Sequence, residues 1–523
     1  MQKSAKEIEL KLDVDPDALA ELKRAGCPDG FTSSRAVTKT LHSTYFDTPE
    51  RTLQRAKTSL RLRKVGRAWV QTVKIGTGVS GGLSSPLEVE HGVRTNTLDL
   101  DAIPDRQVAA RLNAMLGSSE IGPCFETAIR RTTRVLTDQS DGSEIEVAFD
   151  TGEIRAGPTV VPVSELELEL KSGSASALFK AARGLTGPAP FRFSPLSKAE
   201  QGYSAADNKP TGRAAPKTAE KVILDPDETV ERAYRAVLRS CLDQISQNRI
   251  AVLSGDDPEG LHQLRVGLRR LRSALRLFKP VIHPTSHGPL DTLARALAAD
   301  AGEVRDLDVL AEEIVQPLQE IVPDGVSMTP LVDHLHGVRD QARTALKHRL
   351  AKADVNGFLF DLSAYTEGRG WLDPGNFDQT ARLAEPVSRF ARSGLDRQWK
   401  AVSKFGRRID DLTIPERHDM RKALKKLRYG MEFFGSLYPQ ETLKPFLKRM
   451  RRLQDIFGYL NDVAMAEKLV HLNTPGGRGA ERRAQAVGFA IGWHEAQSSA
   501  MWQHAKGYWR DTKQVPKFWR QKK

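Results

Sequence analysis

A chain of 523 residues, 39% of them hydrophobic, is too long for one ordinary core, so its length predicts two or three domains. It contains no run of about 18 apolar residues, and its first eleven residues are already charged and strand-like, so we expect neither a membrane-spanning helix nor a signal peptide. Its three cysteines are far apart and match no metal-binding or disulfide spacing, which favours a reducing cytoplasm.

The net charge of +13 is concentrated in the C-terminal part of the chain. Residues 1–210 contain 28 Lys and Arg against 27 Asp and Glu, whereas residues 211–523 contain 51 against 39. This excess predicts a polyanionic partner for the C-terminal part, namely nucleic acid, an anionic membrane surface or a phosphate polymer. A basic surface that only aids solubility is the alternative on charge alone.

The N-terminal part alternates polar and apolar residues with a period of two, which is typical of β-strands. Glu7-Ile-Glu-Leu-Lys11 is the first such segment, and a helix is predicted from about Pro16 to Ala25. Further strands are predicted at Leu41–Asp47, Ser59–Lys64, Trp69–Ile75, Leu87–Glu90, 129–137 and Glu144–Asp150.

The longest alternation is Glu165-Leu-Glu-Leu-Glu-Leu-Lys171. Residues two apart in a strand point to one face about 7 Å from each other, so three glutamates form a row backed by leucines. Such a row repels itself unless cations lie beside it. For one strand, the solvated face of an antiparallel sheet explains the pattern. Acidic and basic rows together instead predict a closed antiparallel β-barrel whose interior holds a polyphosphate between metal ions and cationic side chains.

Several motifs occur in order over about the first 205 residues. They are Glu-x-Glu-x-Lys at 7–11, Tyr45-Phe-Asp-Thr48, Leu60-Arg-Leu-Arg63, Thr72-Val-Lys74, Gly-Gly-Leu at 81–83, Ile145–Asp150, Glu165–Lys171, Leu196-Ser-Lys198 and Gly202-Tyr203. This series resembles the CYTH domain of the triphosphate tunnel metalloenzymes.

The resemblance implies hydrolysis of a phosphoanhydride with Mg²⁺ or Mn²⁺. It implies metal ligands at Glu7, Glu9, Glu165 and Glu167, with Glu169 as a further candidate. It implies triphosphate contacts from Lys11, Arg61, Arg63, Lys74, Arg131 and Lys198, and catalytic roles for Glu7, Glu9, Lys11, Glu165 and Glu167. Glu88, Glu90, Glu146 and Asp150 match less closely, Arg130 is an alternative to Arg131, and Arg134 stands where many relatives have an aromatic residue.

A linker rich in Pro, Lys, Ala and Thr is predicted at 208–222, between a domain at 1–207 and an all-α domain at 223–515. The fold class is therefore a two-domain α+β protein. Helical spacing occurs at Glu231–Val252, Leu261–Phe278, Leu290–Ala301, Leu331–Leu350, Leu383–Phe405, His418–Leu437 and Ala480–Ala505.

The helical part contains an internal repeat. The eleven residues from His262 align with those from His418 at an offset of 156, and the same offset relates Gly302 to Gly458 and Asp306 to Asp462. An ungapped offset over two motifs predicts duplicated helical bundles.

Each copy of the repeat presents basic residues on one helix face. A solvated face explains a single basic stripe, but two matching stripes in a basic domain favour a phosphate-binding surface. Neighbouring arginines disfavour a metal ion at either histidine. The predicted polyphosphate-binding residues are His262, Arg265, Arg269, Arg272, Arg276, His418, Arg421, Lys425 and Arg428.

Residues 223–510 resemble the CHAD domain through these two His-x-x-Arg helices and the segments Arg305–Asp308 and Asn461-Asp462. The resemblance implies binding of polyphosphate and association with polyphosphate granules. The two resemblances together imply a cytoplasmic, metal-dependent hydrolase that converts inorganic triphosphate to diphosphate and phosphate, with a module for long-chain polyphosphate.

Two alternatives stay open from the sequence. The N-terminal part could hydrolyse or cyclise another triphosphate, such as thiamine triphosphate, a nucleoside triphosphate or ATP, or the protein could be a granule-associated binding factor with little catalysis. The five glutamates predicted in the barrel argue against the second alternative, because a protein that only binds polyanions gains nothing from them. No aromatic residues are interleaved with the basic stripes, which disfavours nucleic acid as a partner, and no membrane partner is expected. The oligomeric state is not determined by the sequence.

Overall fold

The computed structural model describes residues 8–76, 79–80, 82–84, 86–187, 189, 191–194, 196–208, 215–472 and 480–520. Glu7 and Gly81, which belong to two of the sequence motifs, lie outside these residues. The chain forms two compact units, each discontinuous in sequence. The first comprises Met1–Pro216, Ser246–Gly255 and Ala351–Gly370, and the second comprises Lys217–Ile245, Asp256–Leu350 and Trp371–Lys523.

The first unit is built on an antiparallel sheet, and the predicted strands are confirmed. The strands are β1 (Ile8–Val14), β2 (Phe31–Ser33), β3 (Val37–Asp47), β4 (Thr58–Val65), β5 (Ala68–Ile75), β6 (Val79–Ser80), β7 (Leu83–Ser84), β8 (Leu87–Val93), β9 (Gly122–Asp138), β10 (Glu144–Ala156), β11 (Thr159–Ser172) and β12 (Phe191–Phe193).

The sheet is curled and open, so the prediction of a closed barrel was wrong. Its strand order is β6-β7-β1-β11-β10-β9-β3-β4-β5-β8, with β12 beside β1 and β2 beside β9. Closure requires the two edge strands to pair over several residues. The outer edge of β1 instead pairs with the short strands β7 and β12, and within the described residues β8 pairs only with β5. Register irregularities at Tyr45/Phe46 and Glu144/Ile145 accompany the curl.

Helices cover the convex face of the sheet. Leu10 and Leu12 of β1 and Leu166 and Leu168 of β11 are fully buried there. The helices of this unit include α1 (Pro16–Arg24), α2 (Thr52–Arg55), α3 (Arg106–Leu116), α4 (Ala175–Thr186), α5 (Lys198–Ala206) and α10 (Ala353–Glu367). The leucines that alternate with the glutamates of β11 therefore form a core, while the glutamates face the opposite side.

One end of the concave face is closed by α5. Ala199, Tyr203 and Ala205 of this helix pack against a cluster that includes Phe125 and Ile129 of β9. Tyr45 joins the cluster, and its ring stacks on Phe125 at 4.5 Å between centroids. Apolar packing thus fills one end of the concavity and leaves the charged rows at the other.

The second unit is helical. Helices of the C-terminal half of the sequence include α6 (Val230–Ser254), α7 (Pro258–Phe278), α8 (Gly288–Val309), α9 (Thr329–Leu350), α11 (Phe377–Ala384), α12 (Val387–Gly406), α13 (Ile414–Phe434), α14 (Gln440–Ala466), α15 (Lys468–Leu472) and α16 (Ala480–Gln514). Among the described residues, every helix is too short or too polar to span a lipid bilayer.

One predicted helix is divided in the structure, and several helices were not predicted. The single helix expected at Leu383–Phe405 is divided into α11 and α12, because Pro386 has no backbone N–H and disfavours a helical residue before it. The helices α10 and α14 were not predicted, nor were α3, α4 and α5 of the first unit. Pro445 lies inside α14, where it removes one backbone N–H from the helical hydrogen bonds.

The repeat offset recurs in the helix bounds. Adding 156 to the ends of α7 gives the ends of α13, and the one-turn helices at Lys279–Val281 and Gly435–Leu437 obey the same shift. The two copies therefore have the same local structure. Duplication of whole bundles stays a prediction.

Candidate active site

The strand register arranges the charged residues of the concave face in rows. Paired residues of neighbouring strands project to the same face of a sheet. One row runs Glu9, Glu169, Glu146; the next runs Lys11, Glu167, Ala148; and the third runs Asp13, Glu165, Asp150, Arg131. The predicted metal ligands are thus divided, with Glu9 and Glu169 in the first row, Glu167 in the second and Glu165 in the third.

These rows line a cavity of about 930 Å³ in the first unit. All six predicted triphosphate contacts reach it, from four strands of the sheet and the first residue of α5. Of the predicted metal ligands, Glu9, Glu167 and Glu169 line it. The lining cations are Lys11, Arg61, Arg63, Lys74, Arg131 and Lys198.

A compact acidic cluster lies behind the cavity wall. Asp150, Glu165 and Glu167 are buried, and their nearest carboxylate oxygens all lie within 4.8 Å of one another. Each is neutralised by cations. Lys198 Nζ lies 2.9 Å from Asp150 and 2.8 Å from Glu167 and also contacts Glu165, while Lys11 Nζ lies 2.7 Å from Glu167.

Arg131 completes this network. Its guanidinium donates to both oxygens of Asp150, with an Nε–Oδ1 distance of 2.8 Å, and also contacts Glu167. Arg130, the alternative considered from the sequence, is exposed and lies outside the cavity lining. The alternation of the strand explains the difference, because adjacent residues project to opposite faces.

A helix cap positions Lys198. Ser197 Oγ accepts a hydrogen bond from Glu200 N, and the Glu200 carboxylate accepts one from Ser197 N at 2.7 Å, which forms a capping box. Lys198 is therefore the first residue of α5, and its side chain reaches the acidic cluster. The motif Leu196-Ser-Lys198 combines a structural cap with a charged contact.

The charges of the cluster perturb the pKa values of its members. Burial raises the pKa of Glu167, but Lys11, Lys198 and Arg131 outweigh burial and hold it well below its ordinary value. Burial likewise opposes the charged form of Lys11, yet Glu167 and Glu9 raise its pKa above the ordinary value. Glu167 and Lys11 are therefore both charged around neutral pH.

The opposite wall of the cavity is mainly basic. Arg61 pairs with Glu88 at 3.3 Å and Glu90 at 3.1 Å, and Lys74 pairs with Glu88 at 2.6 Å. Arg63 differs, because within the described residues its guanidinium contacts the Ser43 hydroxyl at 3.1 Å and no carboxylate. Burial and the neighbouring Arg61 lower the pKa of Arg63 to about 10. Among the described residues, Arg63 is thus the cation of this wall that no carboxylate neutralises, so an anion bound in the cavity would be its first charged partner.

Two residues of the sequence motifs have structural contacts. Asp47 accepts hydrogen bonds from the backbone N–H groups of Thr48, Leu53 and Gln54, so it holds the turn into α2. Arg134 donates to Ala25 O at 3.2 Å and lies over the Phe149 ring at 5.4 Å, away from the cavity lining. The substitution at Arg134 therefore affects local packing.

Several residues in or beside the site were not predicted from the sequence, and Asp13 is one that lies beside the acidic cluster and outside the cavity lining. Asp13 follows the Glu-x-Glu-x-Lys motif in the same alternation and pairs in register with Glu165. Burial and Glu165 raise the pKa of Asp13 to about 6. The alternation of side chains along β1 could have revealed Asp13. Tyr45 and residues 104–107, around the start of α3, reach the cavity through the curl of the sheet.

The carboxylates fit a divalent cation by chemistry. Their oxygens are hard ligands suited to Mg²⁺ and Mn²⁺. Asp150, Glu165 and Glu167 each offer one oxygen, and these three oxygens lie within 4.8 Å of one another, close enough to bind one ion. Asp150 is the member of this trio that the metal prediction omitted. A second set, Glu9, Glu146 and Glu169, shares the adjacent row of the sheet.

The second unit contains a separate basic cleft, a cavity of about 840 Å³ lined mainly by α7, α13 and α14. Both predicted basic stripes border it, so the two repeat copies face one another. Within the described residues His262 and Arg428 lie outside its lining, whereas the remaining predicted residues line it: Arg265, Arg269, Arg272, Arg276, His418, Arg421 and Lys425.

Few carboxylates balance the cleft. Arg265 lies 3.7 Å from Asp306, which also pairs with Lys468 at 2.9 Å, and Arg272 pairs with Asp291 at 2.8 Å. His418 Nδ1 is hydrogen-bonded to Asn461 Oδ1 at 2.8 Å. Asp306 therefore restrains basic side chains of the cleft.

Comparison with known proteins agrees with the order of the two folds. Residues 5–203 match the family model of the CYTH domain, and residues 236–471 match that of the CHAD domain. The chain contains a CYTH domain followed by a CHAD domain.

Three relatives illustrate the similarity. The inorganic triphosphatase of Haemophilus influenzae is 36% identical over 202 residues, which cover 38% of this chain and 54%, about half, of that relative. An uncharacterised protein of Mycobacterium tuberculosis is 22% identical over 448 residues, 82% of each chain. The crystal structure of the CHAD domain from the plant Ricinus communis is 28% identical and covers 57% of this chain and 96% of that one, with a TM-score of 0.48.

Proposed function

We propose that the CYTH part of this chain hydrolyses inorganic triphosphate to diphosphate and phosphate with Mg²⁺ or Mn²⁺. The observation that carries the proposal is the 930 Å³ cavity, in which buried carboxylates and six cations line one concave face. The similarity to a protein named inorganic triphosphatase supports the same substrate class. A cytoplasmic location and association with polyphosphate granules are part of the proposal.

The proposed ligands form two sets on adjacent strands. Glu165 and Glu167 hold one divalent ion together with Asp150, and Glu9 and Glu169 hold another. Glu7 is a further proposed ligand that lies outside the described residues. The bound ion supplies positive charge against the negative charge that develops on phosphoryl oxygens.

The cations of the cavity change partners when the carboxylates bind metal. Lys11, Lys198 and Arg131 are ion-paired with the acidic cluster. A divalent ion held by these carboxylates would compete with the lysine and arginine contacts, and Lys11, Lys198 and Arg131 would then be available to phosphoryl oxygens.

Arg61, Arg63 and Lys74 hold the other end of the substrate. A guanidinium donates two parallel hydrogen bonds to a phosphoryl group, whereas a lysine acts as a point charge. Because these side chains lie on the neighbouring strands β4 and β5, they orient the triphosphate across the cavity. This placement would favour an in-line arrangement of the attacking and leaving oxygens.

The helical part binds long-chain polyphosphate in the basic cleft. Arginines and lysines from α7 and α13 line the cleft, and few carboxylates neutralise them. A polymer of phosphates provides the missing negative charge at regular spacing.

The first test is phosphate release from tripolyphosphate with Mg²⁺ or Mn²⁺, beside ATP, thiamine triphosphate and long-chain polyphosphate. We expect tripolyphosphate to be cleaved fastest and chelation to stop turnover. Faster cleavage of ATP or thiamine triphosphate would reassign the substrate. If no compound is cleaved while long-chain polyphosphate binds, the protein is a binding factor and the hydrolase proposal is wrong. Competition tests the partner of the basic cleft. Displacement of long-chain polyphosphate by duplex DNA at equal phosphate concentration would contradict the proposal that polyphosphate is that partner.

A further inference from the structure

We propose that Lys425 is a site of acylation by acyl phosphates that bind in the basic cleft. Lys425 lies on α13, one turn from Arg421, and lines the cavity between the two repeat helices. Within the described residues its ammonium has no hydrogen-bond or ion-pair partner. The cleft therefore combines an unpaired amine with several groups that bind phosphate.

The surroundings of Lys425 favour its neutral form. The side chain is half-buried in the cleft, and Arg269, Arg421, Arg265 and Arg428 lie around it. Burial and these like charges lower the pKa of Lys425 to about 6. Asp462, the nearby carboxylate, does not offset them, and burial raises its own pKa.

A neutral amine is a nucleophile at neutral pH, whereas an ordinary lysine is not. With an ordinary pKa near 10.4, only about one lysine in a few thousand is unprotonated at pH 7. Lysines beside other cations in poorly solvated sites are activated in this way. Lys425 is therefore expected to be the reactive amine among the cleft lysines.

The arginines select the electrophile. Arg265, Arg269 and Arg421 line the same cavity and offer donors for a phosphoryl group. In an acyl phosphate the carbonyl carbon is joined to that phosphoryl group by one oxygen, so binding the phosphate brings the carbonyl close to the cleft amine.

The reaction balances without another reagent. The Lys425 Nζ lone pair attacks the carbonyl carbon, the carbon–oxygen bond to phosphate breaks, and inorganic phosphate leaves. The amine proton passes to solvent, and the product is an amide.

The test treats the full-length protein with acetyl phosphate at pH 7 and maps acetylated peptides by mass spectrometry. Lys422 and Lys426 are internal controls, since both line the cleft and are exposed. We expect Lys425 to be acetylated at least about tenfold faster than either control, and excess inorganic triphosphate to suppress the reaction at Lys425. Equal rates at the three lysines would overturn the proposal.

Acetic anhydride separates phosphate recognition from amine reactivity, because it transfers the same group without a phosphate. The preference for Lys425 over Lys426 should be larger with acetyl phosphate than with the anhydride. An equal preference, or no protection by triphosphate, contradicts phosphate-guided acylation. The inference rests on the proposed function only in that both need an anion-binding cleft. If polyphosphate binds but Lys425 is not acetylated, the inference is refuted and the proposed function is not.

Discussion

Lys198 in the cavity of the sheet and Lys425 in the basic cleft are both half-buried, yet their pKa values shift in opposite directions. Burial lowers both pKa values, but Asp150, Glu165 and Glu167 raise that of Lys198 above its ordinary value. Arginines surround Lys425 instead and lower its pKa to about 6. The neighbouring charges, and not the depth of burial, decide the state of each lysine.

This contrast predicts two ways to bind phosphate. The cavity of the sheet contains its own counter-ions, so we expect a triphosphate to displace carboxylates from its cations with the help of divalent metal. The cleft has an excess of positive charge, so we expect an anion to bind there directly. Binding in the cleft is therefore expected to depend more on salt and less on metal.

The largest expected effect follows from Glu167→Gln, which removes the carboxylate shared by Lys11, Arg131 and Lys198. We expect kcat for tripolyphosphate to fall by about 10²–10³-fold. Metal-dependent phosphate release measures the effect. Glu153→Gln, which removes a carboxylate paired at the surface with Arg155, is the control. Near-normal turnover of the Glu167 variant would refute the metal assignment.

The next effect is that of Lys198→Ala. It leaves three buried carboxylates short of a cation, so we expect the free energy of unfolding to fall by about 3–5 kcal/mol. Loss of a substrate contact should also lower kcat/KM by about 10²-fold. Urea denaturation and steady-state kinetics test both, with the exposed Lys23→Ala as control. Unchanged kcat/KM would remove Lys198 from the substrate contacts.

The cleft is tested by the double variant Arg265→Gln and Arg421→Gln. We expect polyphosphate affinity to fall by about tenfold or more, and the dependence of log Kd on log salt concentration to become shallower. Calorimetry at two salt concentrations measures both quantities. Arg451→Gln with Arg452→Gln removes the same charge from exposed positions of α14 outside the cleft lining. Equal losses in the two double variants would show that net charge alone controls binding.

The last expected effect is a pH-dependent change in stability from Lys425→Met. Between pH 6 and about 10.4 the unfolded wild type binds a proton at Lys425 that the folded state does not, so wild-type stability rises with pH. The variant lacks this dependence and should exceed the wild type in Tm most at pH 6, with the gap narrowing towards pH 9. Thermal unfolding in phosphate-free buffer measures it, with Lys422→Met as control. A gap that is the same at both pH values contradicts the prediction.

Local patterns determined much of this protein in advance. A period of two predicted the strands, and β11 has alternate residues on the charged and apolar faces. An offset of 156 between two motifs recurs in the bounds of α7 and α13. These features depend on residues close in sequence, whose spacing decides which face each side chain occupies.

Only the tertiary structure decided which charges meet. Asp150 joins Glu165 and Glu167 because β10 and β11 pair in one register, and a shift of one residue would have turned it to the other face. The open edge of the sheet and the juxtaposition of the two basic stripes likewise depend on which elements become neighbours. Long-range pairing and packing set these contacts, so the sequence by itself identified the candidate residues and the fold assembled them into sites.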